Sequence, residues 1–315
     1  MGFFASLINS MPSAVAQGLI WGIMAIGVYL TYRILDVADL TVDGSLGTGG
    51  AVCVVMVLNG APVGLALLAA TAAGMLAGLV TGLFHTACGI PAILAGILTQ
   101  LALYSVNLRI MGFGTGGGKA NLPVSVDKYS LLVSARYVRN VALNNPILIL
   151  VIFCAVLIAV LYWFFGTELG CSLRATGANQ NMARAQGINT NVAKVLGLMI
   201  SNGLVALAGG LLAQYQGFSD INMGRGAIVI GLAAVIIGEV IFSRIFRNFA
   251  LKLLSAVIGA IIYYIVMVFV LRLGLSTDDL KLLTALVVAL FLTIPYWKGK
   301  YFTKTSVKKG EKNHA

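Results

Sequence analysis

The sequence predicts an all-α polytopic membrane protein, a single domain over residues 1–315, and three observations carry that prediction. Of its residues 59% are hydrophobic and only 10% are charged, where a soluble domain carries roughly a quarter charged residues. The mean hydropathy is +0.97. The apolar residues fall in runs of about 20, the length a helix needs to cross a bilayer. Backbone groups in hydrocarbon have to be satisfied within their own segment, so these runs are helices.

In chain order the runs are 14–32, 46–58, 62–83, 90–111, 146–166, 195–218, 226–243, 249–273 and 280–296. The second is too short to span unaided. Nine helices are expected if it spans, with the N-terminus outside; eight are expected if it is re-entrant. Thirty-seven glycines suit closely packed membrane helices, because small residues let backbones approach. The four cysteines, Cys53, Cys88, Cys154 and Cys171, form no CxxC pair and read as small hydrophobes. His85 and His314 are too scattered for a metal cluster. The first 13 residues hold no basic residue, so no cleavable signal is expected. Met1-Gly2 with Ser6 fits a myristoylation pattern, but a chain with many spans gains nothing from a lipid anchor.

The formal charge is +11, and its placement sets the topology. The tail 298–315 holds six lysines and one glutamate. The polar stretch 167–194 holds Arg174, Arg184, Lys194 and Glu168, and the turn 244–252 holds Arg244, Arg247 and Lys252. Two apolar runs separate each consecutive pair, so all three segments face one side, the cytoplasm. The opposite turn ends in Asp278 and Asp279. Counting back, the loop 112–145 is extracellular. The same charges do not read as a nucleic-acid surface, because short loops against a membrane use them as topology signals.

Two segments combine polar residues with a glycine-rich restart of an apolar run: "LDVADLTVDGSLGTGGAV", 35–52, and "YQGFSDINMGRGAIVIG", 215–231. The helices after them run in opposite directions in the nine-helix topology. That is the pattern of an inverted repeat whose broken central helices line a path. Polar residues inside spans face a partner or a cavity. The candidates for lining the path are Asp43, Ser45, Gln100, Asn107, Asn202, Gln214 and Asn222; helix-to-helix hydrogen bonding is the alternative for the span residues. Glu239 is expected to pair with Arg244 or Arg247.

The stretch "GFGTGGGKA", 112–120, formally contains G-x-G-x-x-G and suggests a phosphate loop ending in Lys119. Ala120 stands where that loop needs Ser or Thr, and a membrane helix rather than a strand precedes it. An ordinary loop is expected. No nucleophile–histidine–acid set and no paired metal spacing is present, so neither catalytic nor metal residues are assigned.

Between two hydrocarbon runs, "LRATGANQNMARAQGINT" turns polar and basic. From Gly177 it predicts a helix of two to three turns over 177–188, with Asn179 as N-cap and Gly187 as its stop. Ala178, Met182 and Ala185 share a narrow apolar face, with Gln180, Arg184, Gly187 and Asn191 opposite. Such a knob suits a groove on another protein, with Arg174 and Arg184 fixing its register.

The segment 170–217 resembles the cytoplasmic segment and following helix of ABC-importer permeases of the branched-chain amino acid/ribose type. Their pattern G-x-x-x-R-A-x-G-x-N-x-x-A-A-x-x-x-G-I is matched at Gly170, Arg174, Ala175, Gly177, Asn179, Ala183, Gly187 and Ile188. Arg184 stands where many members carry a second small residue. "LTVDGSLGTGGAV" resembles the same family's central-helix segment, and the likeness covers most of the chain. "LDVADLTVDGS" looks most like a bacterial subgroup associated with uptake of tryptophan or tyrosine.

The resemblance implies a permease subunit in the bacterial inner membrane with a cytoplasmic C-terminus, itself not an enzyme. Two copies, identical or related, would form the path. A cytoplasmic ATPase dimer holding ATP and magnesium would dock on a coupling helix at Arg174, Gly177, Asn179, Met182, Ala183, Arg184 and Gly187. An extracellular binding protein would deliver solute near 112–145, 219–224 and 274–279. Amino acids are the expected solute; a sugar or nucleoside importer of the same family is the alternative. A carrier driven by an ion gradient should show a coupling carboxylate deep in a span, and a channel should show a filter sequence or charge ring.

Overall fold

The computed structural model describes residues 3–113, 117–126, 128–129, 131–138, 145–242, 245–246, 248–272 and isolated helical positions between 282 and 293. Helix α1 (Phe3–Tyr29) continues through a π-helical turn, Leu30–Leu35, and is followed by α2 (Thr41–Leu58), α3 (Val63–Thr86) and α4 (Ala92–Met111). A short strand β1 (Asn121–Pro123) and a 3-10 turn (Ala135–Tyr137) lead to α5 (Pro146–Gly166), α6 (Glu168–Ala178) and α7 (Gln180–Ala185). Then come α8 (Thr190–Gln216), β2 (Phe218–Asp220), α9 (Ala227–Phe242) and α10 (Phe249–Arg272).

Among the described residues, seven helices are long and apolar enough to cross a membrane, and α9 is a shorter apolar helix. The run expected to be shortest, 46–58, belongs to a helix that starts five residues earlier, at Thr41. Its 18 residues rise roughly 27 Å at 1.5 Å each, close to the thickness of the hydrocarbon core. Its polar beginning, Thr41-Val42-Asp43-Gly44-Ser45, hid the first turn and a half from an apolar count. The expected ninth span, the Asp278–Asp279 turn, the tail 298–315 and the cations Arg244 and Arg247 lie wholly or mostly outside the described residues.

Helices α1, α2 and α8 form the centre, and α3, α4 and α5 show apolar side chains such as Leu68, Leu76, Leu101 and Val156 outward. This is the distribution that hydrocarbon as solvent demands, since an exposed leucine loses nothing there. Two glycines bring α2 and α8 into backbone contact. A Cβ at Gly49 would collide with the Ala206 carbonyl, and one at Gly209 with the Leu46 carbonyl. Hydroxyls knit the same centre: Thr41 to Thr81 at 2.7 Å, Thr81 to Thr99 at 2.9 Å, and Ser201 to the Gly27 carbonyl at 2.7 Å.

Neither predicted break interrupts a helix; both lie between helices. The first is residues 36–40, where Asp36 takes the left-handed conformation after the π turn. The second follows Gly217, also left-handed, which stops α8. From there β2 pairs antiparallel with β1, Ser219 opposite Leu122. The chain then runs beside α2, with Ser219 and Met223 against Gly50 and Gly224 against the Asp43 carbonyl. Helix α9 therefore begins beside Asp43 and not at the ribbon where α8 ended. The glycine-rich loop after α4 folds back onto it, Lys119 N–H donating to the Leu108 carbonyl at 3.3 Å, and leads into β1. A helix before it and a strand after it invert the order a phosphate loop requires.

Candidate translocation cavity and docking helix

Helix α2 has two polar faces with different surroundings. Toward α8, Ser45 donates its hydroxyl to Asn202 Oδ1 at 2.6 Å, and Asn202 Nδ2 donates to Asp39 Oδ2 at 2.6 Å. Asp39 Oδ1 accepts the Thr41 N–H at 2.9 Å. All three side chains are essentially inaccessible. In this connection, outside both flanking spans, burial pushes the Asp39 carboxyl above its usual range, against hydrogen bonds from Thr41 and Asn202 that pull it down. Higher up the same interface, Gln214 Nε2 donates to Cys53 Sγ at 3.2 Å and Gln214 Oε1 accepts the Leu132 N–H at 3.2 Å. Ser45, Asn202 and Gln214 thus hold helices and a loop together; the geometry gives them the helix-to-helix role and not a place on an open path. A buried polar group without a partner is costly in a membrane bundle, and these three have theirs.

Toward α4, the other face opens on a cavity of about 410 Å³ lined by Asp43, Gly44, Gln100, Leu101, Tyr104, Asn107, Ile221 and Arg225. This brings together three of the seven path candidates, Asp43, Gln100 and Asn107. Asn222 is exposed in the adjoining segment, its N–H donating to Asp220 Oδ1 at 2.7 Å. Asp43 does not face the cavity as a free charge. Its two oxygens accept the N–H groups of Gly226 and Ile228, each at 2.9 Å. The carboxylate caps the start of α9, where unsatisfied donors and the helix dipole favour an anion. Asn107 is 2% exposed, and its Oδ1 finds no hydrogen-bond partner among the described residues. Its Nδ2 reaches the Gly44 carbonyl only at 3.4 Å.

Sequence reasoning missed Arg225 and Tyr104. The Arg225 guanidinium sits 6.0 Å from the centre of the Tyr104 ring, within the range of a cation–π contact. Arg225 belongs to the glycine-rich segment "NMGRG", whose pattern suggested a helix restart and so drew attention from its charge. Tyr104 lies in a span, where no local pattern separates a cavity-lining aromatic from a lipid-facing one. Glu239 pairs with Arg33 of the π-helical turn at 3.0 Å. That partner is 206 positions away in sequence; the expected partners Arg244 and Arg247 lie outside the described residues.

At the other end, the predicted helix over 177–188 is shorter, Gln180–Ala185, and a separate helix, α6, precedes it. The local signals are where they were expected. Asn179 Oδ1 accepts the Met182 N–H at 3.1 Å, and Gly187 has φ +82°. The side chains divide in two. Ala178, Met182 and Ala185 are exposed, Met182 at 64%. Ala183 is buried, and Arg184 Nε donates to Thr190 Oγ1 at 2.8 Å, tying the knob to the start of α8. Gly177 lies in α6, where a Cβ would strike the Ile34 carbonyl. Arg174 also lies in α6, its guanidinium 6.0 Å from the Phe249 ring of α10. Of the seven docking candidates, Asn179, Met182, Arg184 and Gly187 are on or at the ends of the knob, while Gly177 and Ala183 pack behind it and Arg174 faces α10.

A family model described as "Branched-chain amino acid transport system / permease component" matches residues 10–294. The chain belongs to this permease family. The permease is 41% identical, over 90% of its length and 90% of the other's, to a protein of Clostridioides difficile named "Tyrosine transport system permease protein". It is 35% identical, over 90% and 97%, to an uncharacterized protein of Rickettsia prowazekii. A Salmonella paratyphi B protein named as an autoinducer 2 import system permease is 27% identical over 74% of this chain and 64% of that one. Among solved structures, "PsaBC from Streptococcus pneumoniae in complex with Fab" matches with TM-score 0.53 at 16% identity, over 95% of this chain and 98% of that one. That last likeness shows the fold alone. The permease is a multi-pass membrane component of a binding-protein-dependent transport system.

Proposed function

We propose that this permease is the membrane-spanning subunit of an ATP-driven importer for amino acids, with aromatic ones favoured. The observation that carries the mechanism is the knob α7. Its inner side is pinned by Ala183 and by Arg184 on Thr190, while Met182 and Ala185 present an uncovered apolar strip. A rigid projection with an apolar strip suits docking on a separate ATPase dimer, which would carry the ATP and magnesium. Two permease copies, identical or related, would enclose the Asp43–Gln100–Asn107–Arg225 cavity. Polar groups there would otherwise meet hydrocarbon at high cost. A solute-binding protein would deliver at the β1–β2 ribbon. The basic segments support a cytoplasmic α6–α7 end and tail in a bacterial inner membrane.

The identity to a relative named for tyrosine transport supports an aromatic amino acid as cargo. A cation and an aromatic ring in one cavity suit a carboxylate and a side-chain ring. The relatives named for autoinducer 2 favour a second reading, a sugar-like solute.

The test begins with purification from native membranes and mass spectrometry of what accompanies the permease. Reconstituted complex should take up labelled tyrosine only with ATP, and unlabelled aromatic amino acids should compete where sugars do not. Uptake driven by an ion gradient without ATP rejects the mechanism; competition by sugars alone rejects the cargo. Met182→Arg should insert normally yet lose the ATPase on purification.

A further inference from the structure

We infer that the permease holds an anionic phospholipid at the junction of α1, α6 and α10, its phosphate among Arg33, Arg174 and Lys252 and its acyl chains along the aromatic end of α5. A cavity of about 410 Å³ at this junction is lined by those three cations together with Tyr29, Ile34, Gly177, Ala178 and Phe249. Among the described residues, no carboxylate lines it. Glu239 lies alongside, bonded to Arg33 Nε at 3.0 Å, so the three cations retain a surplus of positive charge. A second cavity, about 420 Å³, shares Arg174 and Phe249 with the first and continues along Tyr162, Trp163, Phe165, Gly166 and Thr167.

Side by side, the two cavities have the two-part chemistry of a phospholipid. The first is cationic and the second is aromatic. Trp163 and Tyr162 are 71% and 56% exposed in the last turn of a helix otherwise made for hydrocarbon. That is the depth at which aromatic side chains mark the boundary between headgroups and chains. Basic pockets between spans on the cytoplasmic side, facing an anionic leaflet, take lipid headgroups for the same electrostatic reason. A free phosphate would use the cations and leave the aromatic cavity without purpose. An acidic segment of a docked protein would use the cations but has no reason to follow Trp163 and Tyr162 down the flank of the bundle. The bound lipid would brace α6, which carries the knob, against α1 and α10.

The full transport complex is reconstituted in phosphatidylcholine alone or mixed with phosphatidylglycerol, and lipids retained after mild extraction are measured by native mass spectrometry. The expected result is selective retention of phosphatidylglycerol by the wild type. Arg174→Gln with Lys252→Gln should weaken that retention about 30-fold, the loss of two basic contacts at a charged surface. Arg174→Lys with Lys252→Arg should keep it, which separates charge from damage to the fold. Trp163→Ala should weaken lipid retention without changing the effect of soluble glycerol phosphate. Equal retention of both lipids overturns the inference, as does full displacement of phosphatidylglycerol by glycerol phosphate. Loss of the ATPase with lipid retention unchanged in the Gln variant also overturns it and makes the surface a protein contact.

Discussion

The two faces of α2 carry similar residues and have opposite characters. Against α8, Ser45 and Asn202 are fully paired and Gly49 touches backbone. Against α4, Asn107 Oδ1 has no partner among the described residues and Gln100 borders open space. The difference teaches that a polar residue in a membrane span is not a path marker by type. What decides is whether its hydrogen-bonding capacity is used up by neighbouring helices. The α8 face is a seam and the α4 face is a wall of a chamber.

The strongest way to break this contrast is to force the seam apart. Gly49→Leu places a side chain where the Ala206 carbonyl sits. Overpacking costs about 1–3 kcal/mol where side chains can yield, and backbone yields less. The monodisperse peak in size-exclusion chromatography should fall at least about tenfold. A normal peak would mean that α2 and α8 are not in backbone contact.

Removing the polar centre of the seam should come next. Asn202→Leu leaves the Ser45 hydroxyl and one Asp39 oxygen buried without their partner. Unpaired buried groups cost about 1–3 kcal/mol each, so thermal unfolding in detergent should move clearly downward. Ser45→Ala removes one hydrogen bond and should cost about 1 kcal/mol, the scale of interhelical bonds in bilayers. If the two variants melt alike, Asn202 is not the hub.

Much of the frame is legible in the sequence alone. A bilayer imposes the same length and polarity on each helix, so the spans announce themselves. Caps are equally local: Asn179 and Gly187 act within a few residues of themselves. The start of α2 was hidden because Thr41, Asp43 and Ser45 are polar, although buried polar side chains are tolerated there by partners on α3, α8 and α9. Which way Asn202 or Gln214 faces depends on the register of another helix, and no local pattern encodes that. The Arg33–Glu239 pair and the meeting of Asp43 with α9 belong to the same class, since each joins residues more than 180 positions apart.

Between seam and chamber stands Asp43, which belongs to both. Asp43→Ala strips the acceptors from the Gly226 and Ile228 N–H groups and should cost about 1–2 kcal/mol, as lost N-caps do. Asp43→Asn keeps one acceptor and should cost less. Melting temperatures in the order wild type, Asn, Ala fit a cap; equal uptake loss with no change in melting would instead assign the carboxylate directly to the solute.

The smallest expected effect on stability is the sharpest test of the chamber. Asn107→Leu exchanges an amide for an apolar group of similar size. In the seam that exchange orphans partners, but here the lost contact is one long bond to Gly44 at 3.4 Å, and the removed oxygen had none among the described residues. Taking away a buried polar atom that lacks a partner also removes its desolvation penalty. Melting should therefore stay within about 0.5 kcal/mol of wild type, the range of substitutions that break no specific feature. Uptake should fall all the same, because the chamber wall has lost its polar group. A large drop in melting would place Asn107 with Asn202 in the packed framework, and the two faces of α2 would no longer be different.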